Sequence, residues 1–332
     1  MHNNGSSGQA GPSRRDILLL GAGAFAVAAV PLWRSRRRNL IRRSVPSMGT
    51  IAEIGVVHRD EHYAQGAIDA AFARLRQVER LMTRFEATSD VGRANLRAAA
   101  EPVGISQATA NVVQAGLLWA ESSDGAFDPC LGKVSEIWSI GSRTTPPRAE
   151  QVHQYASRNL YRTLDIDSWN GRPVLRFAEP DVEIDLGGIA KGYGVDSSVQ
   201  VLREWGITDA LVNVGGDLYA MGSSEDGDPW VVGVRSPQDP GKVSGQFEIS
   251  DAAVATSGDY MRFFRYNGRQ YHHLMDPKTA EPRESSVHSI TITADDCLTA
   301  DAAATTVFGM ANAKAHSLLS VRAPRARIVS TI

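Results

Sequence analysis

The stretch DALVNVGGDLYAMG, residues 209–222, begins the series of strand-like runs that decides the fold class. Short β-branched segments interrupted by glycine are typical of strands joined by turns. Four more runs follow, at residues 230–236, 245–258, 261–276 and 286–296. Asn267-Gly268, between two halves of one run, is a strong hairpin signal. The runs arrive mostly as meanders, which predicts a largely antiparallel sheet.

Helical patterns surround these runs. Residues 61–84 carry apolar side chains at helical spacing. Further helices are predicted at 106–125, with Ser106 as N-cap and Gly125 as C-cap, at 191–206, and at about 298–320. Strands are also predicted at 48–57, 173–178 and 182–186. Because helices and strands do not alternate regularly, we expect an α+β fold with helices flanking the sheet.

The length of the chain limits the number of domains, and its charge limits the kinds of partner. With 332 residues, the chain is long enough for one large domain or two intertwined lobes. Residues 1–45 hold eight arginines and one acid, which leaves 27 basic against 36 acidic side chains in the rest. A body this acidic, without a basic stripe, argues against nucleic acid as a partner.

The N-terminal segment is typical of an export signal. Arg14-Arg15 precede an uncharged run over residues 17–33, a pattern that predicts twin-arginine export to the periplasm. A membrane-spanning helix and a buried helix are the alternatives, and without a clean cleavage site the segment could stay as a membrane anchor. We expect residues 1–45 to be leader and basic linker and residues 46–332 to be the folded domain. Whether Cys130 and Cys297 pair is open.

The segment EIDLGGIAKGYGVD, residues 183–196, suits a phosphate group. Gly187 and Gly188 allow the backbone to approach a ligand closely, and the helix that follows directs free N–H groups to the same place. Lys191 adds a cation in the first turn. A tight turn with a surface lysine would look the same.

The segment YHHLMDPKTAEP, residues 271–282, offers a base. His272 and His273 are adjacent on a predicted strand and so point to opposite faces. His273 and Asp276 flank the strand end, where they suit a general base and the group that orients it. A structural His–Asp pair is the alternative.

The segment TADAAATTVFG, residues 299–309, places one acid among small residues. Asp301 and Thr305 are four residues apart on a predicted helix, hence on one face, and supply oxygen ligands suited to Mg²⁺. A metal ion would also compensate the charge of a buried carboxylate. The alternative is an acid favoured by the helix dipole. Asp128, Gly215, Gly216 and Asp217 suit loops that line a cleft, although many turns look alike.

Together and in order, these segments resemble the ApbE family, the FAD:protein FMN transferases. The resemblance extends over residues 46–310 through PSMGT, MTRFEATSDVGRAN, DGAFDPCLG, EIDLGGIAKGYGVD, LVNVGGDLYAMG, VATSGDYMRFF, HHLMDP and TADAAATTVFGM. It implies an ApbE-like fold with a cleft between two lobes. It also implies a Mg²⁺-dependent enzyme that moves FMN from FAD to a threonine or serine hydroxyl of an acceptor protein and releases AMP.

The resemblance also implies roles for single residues. Mg²⁺ would be bound by the side chains of Asp301 and Thr305 and the carbonyl of Gly188, and His273 would be the base. The implied FAD contacts are Met48, Phe85, Ala126, Phe127, Asp128, Asp185, Lys191 and Met275. Two departures stand out: Phe85 where tyrosine is common, and Cys130-Leu131-Gly132 after the FDP motif.

One further resemblance concerns the acceptor, and two alternatives concern the reaction. With its leader, the chain also resembles the NosX subgroup, which flavinylates the membrane protein NosR. Mg²⁺-dependent FAD hydrolysis would use the same site with water in place of the hydroxyl. A non-catalytic FAD-binding assembly protein would not need the full set of Lys191, His273, Asp301 and Thr305.

Overall fold

A computed structural model describes residues 17–18, 25–28, 38–237, 239 and 241–332. The strands are β1 Ile17–Leu18, β2 Phe25–Ala28, β3 Asn39–Ser47, β4 Thr50–His58, β5 Val103–Gly104, β6 Leu164–Trp169, β7 Arg172–Phe177, β8 Ala210–Val214, β9 Asp217–Met221, β10 Trp230–Arg235, β11 Val243–Ile249, β12 Ala252–Gly258, β13 Phe263–Tyr266, β14 Arg269–His272, β15 Met275–Asp276, β16 Glu281–Pro282, β17 Ser289–Ala294 and β18 Arg327–Thr331. The helices are α1 Glu61–Met82, α2 Asp90–Arg97, α3 Gln107–Ser122, α4 Gly132–Trp138, α5 Ala149–His153, α6 Ala190–Glu204, α7 Cys297–Val307 and α8 Asn312–Arg322, with a 3₁₀ turn at Leu160–Thr163.

A seven-stranded sheet in the order β18-β17-β12-β9-β8-β4-β3 organises the fold. Each neighbouring pair in it is antiparallel. Hairpins and meanders produce this pattern, whereas parallel neighbours would need long crossovers. The expected α+β class with a largely antiparallel sheet is confirmed.

Both faces of the central sheet are covered. Alternate residues of β8 point to opposite sides: Val212 packs into the larger core, and Leu211 packs into a smaller one with Trp230 and Val232 of β10. Helices α1, α6 and α7 cover the first face. Because every residue of β8 and β9 is buried, these strands are apolar almost throughout instead of alternating with polar residues.

The folded domain begins earlier in the chain than expected. The basic segment up to residue 45 was assigned to a linker, but β3 starts at Asn39 and pairs with β4 from Asn39–His58 to Ser47–Thr50. β3 is an edge strand, and its arginines are compatible with this position because one face of the strand is open to solvent. Ile41 is buried against the core.

The leader itself falls mostly outside the described residues. Of that segment the structure describes β1 and β2 only, and β2 pairs with β10. Among the parts of the chain that are described, no helix has the length and apolar character needed to span a bilayer.

Several other boundaries differ from expectation. The single helix predicted over about 298–320 is divided into α7 and α8. Gly309 ends α7 because it adopts the left-handed conformation, with φ 72°. Residues 182–186 do not form a strand of a sheet, since their backbone bonds go to loops: Ile184 N–H donates to the Asn95 side chain and Asp185 N–H to the Pro129 carbonyl. The Asn267-Gly268 hairpin is confirmed between β13 and β14.

Candidate active site

The site is built where α6 and α7 cross. A Cβ at Gly192 would lie 2.2 Å from the carbonyl oxygen of Cys297, so the helices meet at a distance that only glycine permits. Asp196 of α6 accepts the N–H groups of Cys297 and Leu298, both at 2.8 Å, and Asp296 caps Thr299 N–H at 2.7 Å. Three free N–H groups of α7 are thus satisfied, which holds this helix against α6.

Lys191 lies opposite Asp301. The Asp301 carboxylate is 2% exposed, and both of its oxygens are 3.3 Å from Lys191 Nζ. Gly192 N–H donates to Oδ2 at 3.0 Å, and Lys191 also hydrogen-bonds Asp217 at the start of β9. The buried charge of Asp301 is therefore compensated by Lys191, for which the sequence suggested a phosphate contact, and Asp217 shares that lysine.

The charges in this cluster shift one another. Burial lowers the pKa of Lys191, but Asp217 and Asp301 outweigh burial and raise it above its usual value. Burial, together with the charge of Asp301, raises the pKa of Asp217 to about 7 despite Lys191. Two carboxylates and one ammonium carry a net charge of −1 when all are ionised, which favours a further cation.

The residues expected to hold Mg²⁺ are neighbours in the fold. Thr305 is one turn after Asp301, and its hydroxyl lies 3.3 Å from Ser257 Oγ. A Cβ at Gly188 would be 3.2 Å from Thr305 Oγ1, so the Gly188 backbone packs directly against that side chain. One carboxylate, one hydroxyl and one carbonyl are hard oxygen donors that fit Mg²⁺. No cluster of three or more His, Cys, Asp or Glu side chains suited to a metal occurs among the described residues.

The two histidines have different surroundings, because β14 ends at His272 and His273 lies just after the strand. His272 is buried, bonds the Arg283 carbonyl through Nε2 at 2.9 Å, and meets Phe308 edge-on. His273 is half-buried and has the Arg262 carbonyl 3.4 Å from Nδ1. Burial, with Arg262, His272 and Lys191, lowers the pKa of His273 to about 3. With this pKa, His273 is neutral near pH 7 and can accept a proton.

Asp276 does not orient His273. Its Oδ1 accepts the N–H of Lys278 at 2.9 Å, and its carbonyl accepts those of Thr279 and Ala280. An aspartate after a two-residue strand closes a turn in this way. The group that faces His273 Nδ1 is the Arg262 carbonyl instead.

Met48 and Phe85 occupy different kinds of position. Met48 has φ 51° in the turn between β3 and β4, and Glu79 holds its N–H at 2.8 Å; its sulfur lies 3.2 Å from where a Gly194 Cβ would be. A left-handed methionine is strained, and such strain is concentrated at functional sites. Phe85 is 81% exposed, so its ring is open to solvent.

Arg84 links Phe85 to Asp185. Its guanidinium lies over the Phe85 ring at 4.6 Å and its Nε is 3.4 Å from Asp185 Oδ2. The other oxygen of Asp185 accepts Gly187 N–H at 2.9 Å. The exposed ring and the glycine turn are thus parts of one surface.

Asp128 is engaged by its own loop. Its oxygens accept the N–H groups of Cys130 at 2.8 Å and Tyr161 at 3.3 Å, and burial raises its pKa to about 6. The neighbouring Phe127 ring would lie 3.2 Å from a Gly188 Cβ, so this loop reaches the metal donors. Cys130 and Cys297 are both buried free thiols.

Arg283 is a residue that sequence reasoning missed. Its guanidinium donates to the carbonyls of Ala126, Met275 at 3.1 Å and Thr305 at 2.9 Å, and also to those of Thr306 and Phe308. It joins two expected FAD-contacting segments to the end of α7. Burial lowers its pKa to about 10, so it remains charged. An arginine after Pro282 carries no sequence signal for this role.

Comparison with known proteins agrees with this geometry. The ApbE family model matches residues 48–329. FAD:protein FMN transferase of Treponema pallidum is 32% identical over 301 residues, covering 86% of this chain and 83% of that protein, and the Vibrio cholerae one is 30% identical over 289 residues, covering 84% and 85%.

Solved structures agree as well. The ApbE protein of Thermotoga maritima superposes with a TM-score of 0.78 at 30% identity, over 87% of this chain and 93% of that one. The flavin transferase ApbE of Vibrio cholerae gives a TM-score of 0.76 at 28% identity, over 85% and 91%. With its fold, its motifs in order and its relatives in agreement, the chain belongs to the ApbE family.

Proposed function

We propose that this transferase moves FMN from FAD to a threonine or serine hydroxyl of an acceptor protein and releases AMP. The observation that carries the proposal is the convergence of Lys191, Asp301, Thr305 and Gly188 beside a neutral His273. Its relatives are named FAD:protein FMN transferase.

The reaction exchanges one P–O bond for another. The acceptor oxygen bonds to the phosphorus of the FMN half, the bond to the bridging oxygen breaks, and AMP leaves with that oxygen. His273 takes the hydroxyl proton: with Nδ1–H directed at the Arg262 carbonyl, Nε2 is the free acceptor. Lys191 offsets the negative charge of the phosphates.

Asp301, Thr305 and the Gly188 carbonyl would hold Mg²⁺. Once bound there, the ion would withdraw charge from the phosphate oxygens and so make phosphorus easier to attack. Phe85 supplies an exposed face on which a flat ring can stack, and Arg84 keeps this face beside Asp185 and the glycine turn. Met48, Ala126, Phe127 and Met275 complete the FAD contacts, and Asp128 acts by holding its loop.

The leader pattern supports export to the periplasm by the twin-arginine route, and an uncleaved leader would anchor the enzyme to the membrane. An acceptor on a membrane redox complex, NosR-like in kind, is consistent with that location. Replacing Arg14 and Arg15 by lysine should retain the protein in the cytoplasm, as measured by fractionation.

The decisive experiment incubates the protein with FAD, Mg²⁺ and candidate acceptors, followed by mass spectrometry of the acceptor. Addition of one FMN in the wild type, lost with Asp301→Asn or after chelation, is the expected result. AMP and free FMN without a labelled acceptor would indicate hydrolysis instead. FAD binding with neither product would indicate an assembly protein.

A further inference from the structure

Lys191 is shared between two buried acids from distant parts of the chain. It hydrogen-bonds Asp217 on β9 and lies 3.3 Å from both oxygens of Asp301 on α7. Both carboxylates are almost fully buried, at 2% exposed each. Lys191 therefore compensates two charges that would otherwise be costly in this environment.

The contact of Lys191 with Asp301 is longer than its contact with Asp217. A charge-assisted N–H···O bond is about 2.7–2.9 Å long, so 3.3 Å is a loose contact. Among the described residues, Lys191 is the only hydrogen-bond partner of Asp301 Oδ1, whereas Oδ2 also receives Gly192 N–H at 3.0 Å. Oδ1 is thus the oxygen that can change partner most easily.

The other residues expected to hold Mg²⁺ come from the same helix and from the turn packed against it. Thr305 follows Asp301 by one helical turn, and the Gly188 backbone packs against it. An ammonium and a divalent cation on one carboxylate repel each other strongly in a poorly solvated site. This repulsion favours a position of the ammonium farther from Asp301 once the divalent cation is bound.

We propose that Lys191 is the resident counter-ion of Asp301, that Mg²⁺ displaces it, and that Asp217 is the positioning residue that retains the ammonium after displacement. This inference rests on the proposed metal site. Asp217 matters because an ammonium that left Asp301 without another buried partner would incur a large penalty. Lys191 then stays in the site, where it can face a phosphate.

The test is a double-mutant cycle with Mg²⁺ affinity as the readout, measured by calorimetry without FAD. Asp217→Asn should weaken Mg²⁺ binding by about tenfold or more, because Lys191 then has only Asp301 to pair with. Lys191→Met should tighten binding. In the Lys191→Met background, Asp217→Asn should change affinity by no more than about threefold.

Crystals with and without Mg²⁺ give an independent readout if Lys191→Met does not fold. We expect Lys191 Nζ to move away from Asp301 and keep Asp217 when Mg²⁺ is bound. An equal effect of Asp217→Asn in both backgrounds, or Lys191 still 3.3 Å from Asp301 beside Mg²⁺, overturns the inference and leaves the proposed function intact. Mg²⁺ binding that is absent, or unchanged by Asp301→Ala, overturns both.

Discussion

At the scale of single residues, His273 shows that surroundings decide how a side chain acts. Its type suggested a group that titrates near neutrality, but burial and the charges of Arg262 and Lys191 lower its pKa to about 3. A neutral imidazole can accept a proton over the whole physiological range, although it is a weaker base than usual.

The pH profile checks this. Because the folded pKa is lowered, the neutral form persists as pH falls through 6.5 and is lost only near 3. FMN transfer should therefore show no acid limb near pH 6.5, and His273→Gln should reduce the rate by about 10²–10⁴-fold. An acid limb at pH 6.5 that disappears in His273→Gln would contradict the assignment.

At the scale of elements, the crossing of α6 and α7 determines the site. Gly192→Ala should lower the free energy of unfolding by about 3 kcal/mol or more, because its Cβ would lie 2.2 Å from a backbone carbonyl that cannot move alone. Urea denaturation measures the change.

Gly104→Ala is the matched control for that substitution. Nothing lies within 4 Å of its Cβ, so we expect a change of less than about 0.5 kcal/mol. Similar losses of unfolding free energy in the two variants would show that the effect comes from replacing any glycine and not from the helix crossing.

The junction of α2 and α3 depends on a buried acid. Asp90 accepts hydrogen bonds from Ser106 N–H and Thr109 Oγ1, both at 2.8 Å, and from Arg93 at 2.6 Å. Burial raises its pKa, but the bonds from Ser106, Thr109 and Arg93 outweigh burial and leave the pKa below 3.8. The ionised form therefore stabilises the fold.

A pH series tests that junction. The stabilisation is fully present above the unfolded pKa of 3.8 and is lost as pH falls through the folded value. Asp90→Asn should cost about 1–3 kcal/mol at pH 7 and less below pH 3.8, by urea denaturation. Asp69→Asn, which breaks an exposed ion pair with Arg43, should cost less than about 1 kcal/mol. A penalty for Asp90→Asn that does not change with pH would refute this.

At the scale of the whole molecule, β3 decides where the domain begins. A chain that starts at residue 38 keeps the pairing of β3 with β4, and one that starts at residue 46 loses it together with buried Ile41. The shorter chain should be less stable by at least about 2 kcal/mol and prone to associate through the bare edge of β4. Urea midpoints measure the difference in stability, and size-exclusion chromatography measures association. Equal values for the two chains would show that the folded domain begins at residue 46.

Much of the fold was predictable because its signals are local. The capping residue Ser106, the Asn267-Gly268 turn and the helical spacing of residues 61–84 each depend on neighbours a few residues away. The prediction of one helix over 298–320 was wrong because Gly309 adopts a left-handed conformation that separates α7 from α8. Residues 182–186 do not form a strand because their backbone partners are distant loops.

The sequence by itself determined the family, the α+β class and the residue types of the site, since these follow from short motifs and side-chain periodicity. Only the tertiary structure decided which charges meet: Lys191 pairs with acids 26 and 110 positions away, and Arg283 reaches Ala126 across 157. The partner of a buried charge depends on which strands and helices adjoin, and burial then sets the pKa. Neither quantity is encoded in the spacing of any one segment.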